Sequence, residues 1–160
     1  MSASAFLPRS ESRAVFVVTM WCYALSAGAL VRAIATAFGA QRAPLGIFFR
    51  RGYPALEVIS LLLLAPVIES LLLMGIIELL LWLRSPRWLQ VALSALVSAS
   101  LHTPVSLAFV VAPGWIIMAI AYLMWRQVSW KIGFMVIASI HALLNLIPAI
   151  STISYAVHHT

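Results

Sequence analysis

Long apolar runs separated by short polar clusters make up this chain. A polar stretch from Met1 to Arg13, carrying Arg9 and Arg13, gives way to an apolar run from Ala14 to Val31 that resumes after Arg32 and reaches Phe38. Such a run is long enough for a helix across a hydrocarbon core of about 30 Å. It also exceeds the roughly 7–15 apolar residues of a cleavable signal peptide, so it reads as an uncleaved helix despite the small residues Ala27-Gly28-Ala29. Gly39 to Pro54 breaks the pattern with Arg42, Pro44, Gly46, Arg50, Arg51 and Gly52; its Ile47-Phe48-Phe49 beside two arginines suits a stretch at headgroup level. A second apolar run from Ala55 to Leu83 is interrupted by Glu57, Pro66, Glu69 and Glu78, and ended by Arg84-Ser85-Pro86-Arg87. Three more helices are predicted: one ended by Pro104, one kinked at Pro113-Gly114, and one with Pro148 near its end, before a tail closing in His158-His159-Thr160. The pattern predicts an all-α, polytopic transmembrane bundle of about five helices, at 14–38, 55–83, 88–103, 105–125 and 132–150. One domain covers 1–160, with no internal repeat.

Composition strengthens this picture. Hydrophobic residues make up 64% of the chain and charged residues 9%, where soluble domains carry about a quarter charged residues; the mean hydropathy is +1.06. The net charge of +6 reads as a topology signal and headgroup contact. Nucleic acid is not an expected partner, because no basic run with interleaved aromatics occurs. With the N-terminus inside, the inner segments hold Arg9, Arg13, Arg84, Arg87, Arg126 and Lys131, and the outer loops Arg42, Arg50 and Arg51. The bias predicts a cytoplasmic N-terminus, and Trp82, Trp88, Trp125 and Trp130 flank the two inner turns as an interfacial belt would. The single Cys22 excludes an internal disulfide and any cysteine metal cluster; lying in an apolar run, it is expected to be a buried, inert thiol.

Ionisable groups at membrane depth cost at least about 2.5–3.5 kcal/mol, so each calls for a reason. Glu57 at the start of the second helix reads as interfacial, as does Glu78 near its inner end and within reach of Arg84. Glu69 lies mid-helix. His102 falls near the end of the third helix, and His141 and Asn145, four residues apart, share one face of the fifth. Counted from the inner turns at 1.5 Å per residue, all four sit roughly 15–22 Å deep. Three separate helices thus deliver their deep polar groups to one slab. A carboxylate beside a His in low dielectric suits general-base work on a water, and a second His with an amide suits donation to the oxyanion formed on a peptide carbonyl. Ser98 and Ser100 flank His102 without a placed base, so direct attack by water is the more economical chemistry. Glu69, His102 and His141 could also hold zinc.

Ala65-Pro66-Val67-Ile68-Glu69-Ser70-Leu71-Leu72-Leu73-Met74-Gly75 resembles the first motif of the CAAX prenyl endopeptidase and bacteriocin-processing family, Glu-Glu-x-x-x-Arg preceded by Ala-Pro and followed by Gly. Leu101-His102 is similar to its second motif, Phe-x-x-x-His, and His141 to Asn145 resembles its third, His-x-x-x-Asn/Asp. The three lie in family order over about half the chain. The resemblance implies an intramembrane endopeptidase in which Glu69 and His102 activate water while His141 and Asn145 hold the oxyanion. It also implies a membrane-anchored protein or peptide as substrate and a bacterial inner (plasma) membrane as location. Three positions depart from the pattern: Ser70 replaces the second Glu, Met74 the Arg and Ser98 the Phe. Without the Glu-Arg pair, a C-terminal sorting helix or leader-bearing peptide fits better than a prenylated C-terminus. Other classes stay open at this point: an inactive relative serving as scaffold or immunity protein, a haem protein using His102 and His141 as axial ligands, and a proton-coupled transporter, which the lack of repeat symmetry disfavours.

Overall fold

The apolar runs are helical in the computed structural model, which describes residues 12–38, 54–102 and 105–159. In lipid a helix satisfies its backbone groups within its own segment, so an apolar run has no cheaper state. The elements are α1 (Arg13–Ala37), α2 (Pro54–Ile59), a π-helical turn (Ser60–Leu64), α3 (Ala65–Trp82), α4 (Arg87–Ser100), α5 (Val105–Arg126) and α6 (Trp130–His159). α2, the π turn and α3 are continuous in chain, giving five rods and the expected all-α architecture. Four of the five are long and apolar enough to cross a membrane.

α4 corrects the expected third span. It has 14 residues, about 21 Å of helix, and stops short of a ~30 Å core. Its inward face is small or polar, with Gln90, Ser94, Ala95, Ser98 and Ala99 all buried, and it packs between α3 and α5. His102 is delivered just past its end, not from within it. α6 is a second correction: it continues through Pro148 to His159 where a stop near 150 is predicted. One missing N–H does not outweigh a face that stays in the core, since Ala149 and Thr152 are buried beyond the proline. Cys22, expected to be buried, lies on the exposed side of α1. Arg9, Arg42, the Ile47-Phe48-Phe49 segment with Arg50 and Arg51, and Pro104 lie outside the described residues.

The connections follow from local chemistry. Ser12 caps α1, its side chain accepting from the Val15 N–H at 3.3 Å. After α3 the chain reverses through Arg84, whose φ of 54° lets the Ser85 N–H donate to the Leu80 carbonyl at 3.0 Å. This is the left-handed closure of a helix end, here without the usual glycine. Gln90 then donates its side-chain amide to the Ser85 carbonyl at 2.7 Å and fastens α4 onto the turn.

α1 and α5 are antiparallel. Phe16 meets Trp125 edge-on, with ring centroids 5.4 Å apart, while twelve residues further along α1 a Cβ on Gly28 would lie 3.3 Å from the Val110 carbonyl oxygen. α5 and α6 approach tightly at Gly133, where a Cβ would lie 3.0 Å from the Tyr122 ring and 3.2 Å from the Arg126 nitrogen. The core between the rods holds Leu73, Ile77, Trp115, Met118, Tyr122, Ile137 and Ile140. α1 packs on α5 and α6; among the described residues its backbone makes no close approach to the α2–α3 rod or to α4.

Candidate active site

Pro66 organises the site from the backbone outward. It has no N–H, so a carbonyl one turn earlier must lose its helical partner. The rod answers by widening into the π turn, in which the Ala65 N–H bonds the Ser60 carbonyl. The Leu61 carbonyl is then left without a helical donor: its α partner Ala65 is taken, and its π partner is Pro66. Asn145 of α6 supplies the missing donor, its Nδ2 lying 2.9 Å from the Leu61 oxygen. A π turn beside a polar cluster is a recurrent companion of functional sites, and here the repair ties α6 to the rod at Leu61, about two turns before Glu69.

Glu69, His102 and His141 converge as the sequence predicts. Glu69 Oε2 lies 3.6 Å from His141 Nε2 and 3.8 Å from His102 Nε2. Both separations exceed a direct hydrogen bond, and Glu69 Oε2 is buried with no hydrogen-bond partner among the described residues. His102 is half-buried, and its Nδ1 sits 3.2 Å from the Ser98 carbonyl oxygen. A carbonyl only accepts, so in the neutral ring Nδ1 carries the proton and Nε2 presents a lone pair to Glu69. His141 is 5% exposed; its Nδ1 is buried without a partner, which leaves Nε2 as the natural place for its proton. Asn145 stands one helical turn beyond His141, with its amide engaged on Leu61.

Trp115 completes the arrangement, and sequence reasoning missed it. It is 2% exposed, meets His141 edge-on at 5.0 Å between centroids and lies 5.9 Å from the His102 ring. It packs against both imidazoles. The only signal in the sequence is the preceding Pro113-Gly114, which reads as a kink and not as a site. Arg32 lines a cavity of about 600 Å³ together with Glu69, His102, His141 and Asn145. The rest of that lining is largely apolar, contributed by α1, the π turn and α3, α5 and α6.

The departures from the resemblance also find places. Ser70 is fully buried in the core, so a Glu there would need a cation. The family pattern puts an Arg one turn on, where this chain has Met74. The two changes belong together, since an unpaired buried carboxylate would be strongly destabilising. Ser98, also buried, contributes its carbonyl to His102.

Glu78 takes a different partner from the one expected. It accepts from Arg126 in a two-pronged pair, Nε to Oε1 at 2.7 Å and Nη2 to Oε2 at 2.9 Å, and from the Tyr122 hydroxyl at 2.6 Å. The pair faces a second cavity of about 410 Å³ near Ser129 and Trp130. Arg84, the expected partner, forms no ion pair with Glu78, which is held by Arg126.

Among the described residues no group of three His, Cys, Asp or Glu has the arrangement to hold a metal ion, so Glu69, His102 and His141 do not meet that test as a zinc site. What the fold defines is a multi-pass α-helical integral membrane protein with a polar cluster inside the bundle. The chain matches no protein-family model, no curated protein and no solved structure.

Proposed function

We propose that the chain is an intramembrane endopeptidase of the kind the three motifs resemble, cleaving a peptide bond in a membrane-embedded protein or peptide by direct attack of water. The observation that carries the reading is the placement of one buried carboxylate oxygen against the Nε2 atoms of two histidines, one on α6 and one just past the end of α4.

The hydrogen-bond logic supports it. His102, with Nδ1–H directed at Ser98, and an ionised Glu69 each offer only lone pairs to the space between them. A water donating one O–H to each satisfies both and turns its own lone pairs outward, which is the orientation of a nucleophile. Attack on a peptide carbonyl forms the new C–O bond while a proton passes from water to Glu69. His141 Nε2–H then donates to the oxyanion. Collapse breaks the C–N bond, the proton is returned to the leaving nitrogen, and the products are a carboxylate and an amine. Asn145 enters as the residue that holds the site together by bonding Leu61, its second amide proton being left for the oxyanion. Two imidazoles aimed at one carboxylate oxygen support this reading over a pair of axial haem ligands. Among the described residues α1 makes no close approach to the α2–α3 rod, and the gap between them is the route proposed for a segment in the bilayer to reach the site.

Co-expression tests the proposal. Tagged single-span proteins with a basic tail are expressed in membranes with wild type, Glu69→Ala, His102→Ala or His141→Ala. The expected result is a size shift with wild type that vanishes in all three variants at equal expression. A shift that survives Glu69→Ala contradicts the mechanism; an inactive scaffold gives no shift at all, and a haem protein gives a visible absorption band.

A further inference from the structure

The cavity that holds Glu69 and the two histidines extends to one side of them only. On the rod its lining runs from Glu69 to Leu61, on α5 from Trp115 to Leu107 and on α6 from His141 to Pro148. Each stretch leads away from the basic turns at Arg84 and Arg126, over seven or eight residues. At 1.5 Å per residue this makes a shaft about 10–12 Å tall, with the reacting groups at its foot. Met118 forms the floor. Beneath it, toward the basic turns, the bundle is filled by Leu73, Ile77, Ile137 and Ile140, all without exposure. A peptide with its scissile carbonyl beside Glu69 therefore finds room on one side of the bond and a packed core on the other.

Resting on the endopeptidase reading, we infer that the substrate is read on one side of the cleaved bond only, by extended residues seated in this shaft, with Ala29 and Val110 setting the size accepted there. An extended peptide rises about 3.3 Å per residue, so the shaft takes about three or four residues. Beyond the bond the chain meets the packed core and turns out through the gap between α1 and the α2–α3 rod. Its remaining residues stay in lipid, where helix is the stable state of an apolar segment, and the protein does not read them. Ala29 of α1 and Val110 of α5 both line the shaft. Trp115 lies level with the two imidazoles, and Val110 is five residues above it, level with Gly28. Ala29 and Val110 thus stand about 7–9 Å above the reacting centre, which is about two or three peptide residues from the cut. The lining there is largely apolar, so the fit turns on side-chain size: an overfilled site is penalised as an overpacked core is.

The test uses the full chain in proteoliposomes with synthetic single-span Leu/Ala peptides, each bearing one Trp moved stepwise along the segment. Cleavage is read by mass spectrometry. Binding is read separately, by energy transfer between a dye on the protein and one on the peptide, in Glu69→Gln. The expected result is a loss of roughly ten- to hundred-fold for Trp at three or four consecutive positions on one side of the cut, and no loss on the other. Ala29→Trp narrows the shaft, so that Gly replaces Leu as the preferred residue two or three places from the cut. Val110→Ala widens it and restores the peptide with Trp there. Leu30→Trp, next along α1 at an exposed position, keeps the wild-type profile. Opposite shifts in two variants on the same peptides also show that both are folded. Trp sensitivity on both sides of the cut, at no position, or unmoved by Ala29→Trp and Val110→Ala overturns the inference while the endopeptidase reading stands on cleavage. If no peptide is cleaved but binding shows the Trp-sensitive stretch and its response to both variants, the endopeptidase reading falls and the shaft remains a peptide seat. If neither cleavage nor positional binding occurs, both fall.

Discussion

Two carboxylates nine residues apart on α3 meet opposite fates. Glu78 has both oxygens occupied by Arg126 and one also by Tyr122, in bonds of 2.6–2.9 Å. Glu69 has no hydrogen bond at its buried Oε2 and faces two histidines at 3.6 and 3.8 Å. A satisfied charge in a bundle fastens helices; an unsatisfied one stores interaction for something that is not part of the fold. Residue type and depth alone do not separate the two cases, and partners do. Glu78 is structural by this criterion and Glu69 is the candidate for chemistry, although both are acids on one apolar helix.

The sharpest way to break this contrast is through the histidines. His102→Ala or His141→Phe is expected to lower peptide cleavage by roughly 10²–10⁴-fold, with the second change keeping a ring beside Trp115. Initial rates on the single-span peptides measure it, and an unchanged rate in either variant removes that histidine from the site.

Packing at the Glu78 end comes next. Gly133→Leu drives a side chain into the Tyr122 ring and the Arg126 backbone, and such overpacking costs about 1–3 kcal/mol. A fall in melting temperature in detergent checks it, and a stability equal to wild type would show that α5 and α6 are less tightly apposed than described. Smaller again is the backbone repair at the π turn. Asn145→Ala removes one interhelical bond, about 0.6 kcal/mol on average in membranes. Pro66→Ala gives residue 66 an N–H that can serve the freed carbonyl. A double-mutant cycle should therefore show the Asn145 penalty shrinking in the Pro66→Ala background; additive penalties would mean that the π turn has another cause. One change is expected to be a gain, of similar size. Arg84→Gly relieves a left-handed backbone at φ 54°, worth about 1 kcal/mol, seen as a modest rise in the same melting experiment.

How much of this was legible in the sequence depends on which physics decided it. Apolar run length reports span length directly, so α1, the α2–α3 rod and α5 lie where the pattern puts them. It fails at α4, because Ser94 and Ser98 count as tolerable in a span while their real role is to let a short helix sink between neighbours. It fails again at Pro148, where a local stop signal was outweighed by the tertiary burial of Ala149 and Thr152. The convergence of Glu69, His102 and His141 was readable because depth is a one-dimensional count along each helix. Rotation about the helix axis is not readable in that way, which is why Arg126, and not Arg84, holds Glu78, and why Trp115 and Arg32 were missed at the site. Asn145 shows the limit most clearly, since its bond partner is a carbonyl created by a proline on another helix.

The most direct test of the account sets the two acids against each other. Cleavage rate and melting temperature are measured together for Glu69→Gln and Glu78→Gln, reconstituted at equal density with the single-span peptides. The account predicts that Glu69→Gln loses cleavage by at least about a hundred-fold with its melting temperature unchanged or raised. It predicts that Glu78→Gln keeps cleaving at the wild-type rate per folded molecule while losing about 1 kcal/mol of stability, a modest amount because the pair is half exposed. Equal losses of cleavage in both variants, or a Glu69→Gln protein that still cleaves, would contradict it.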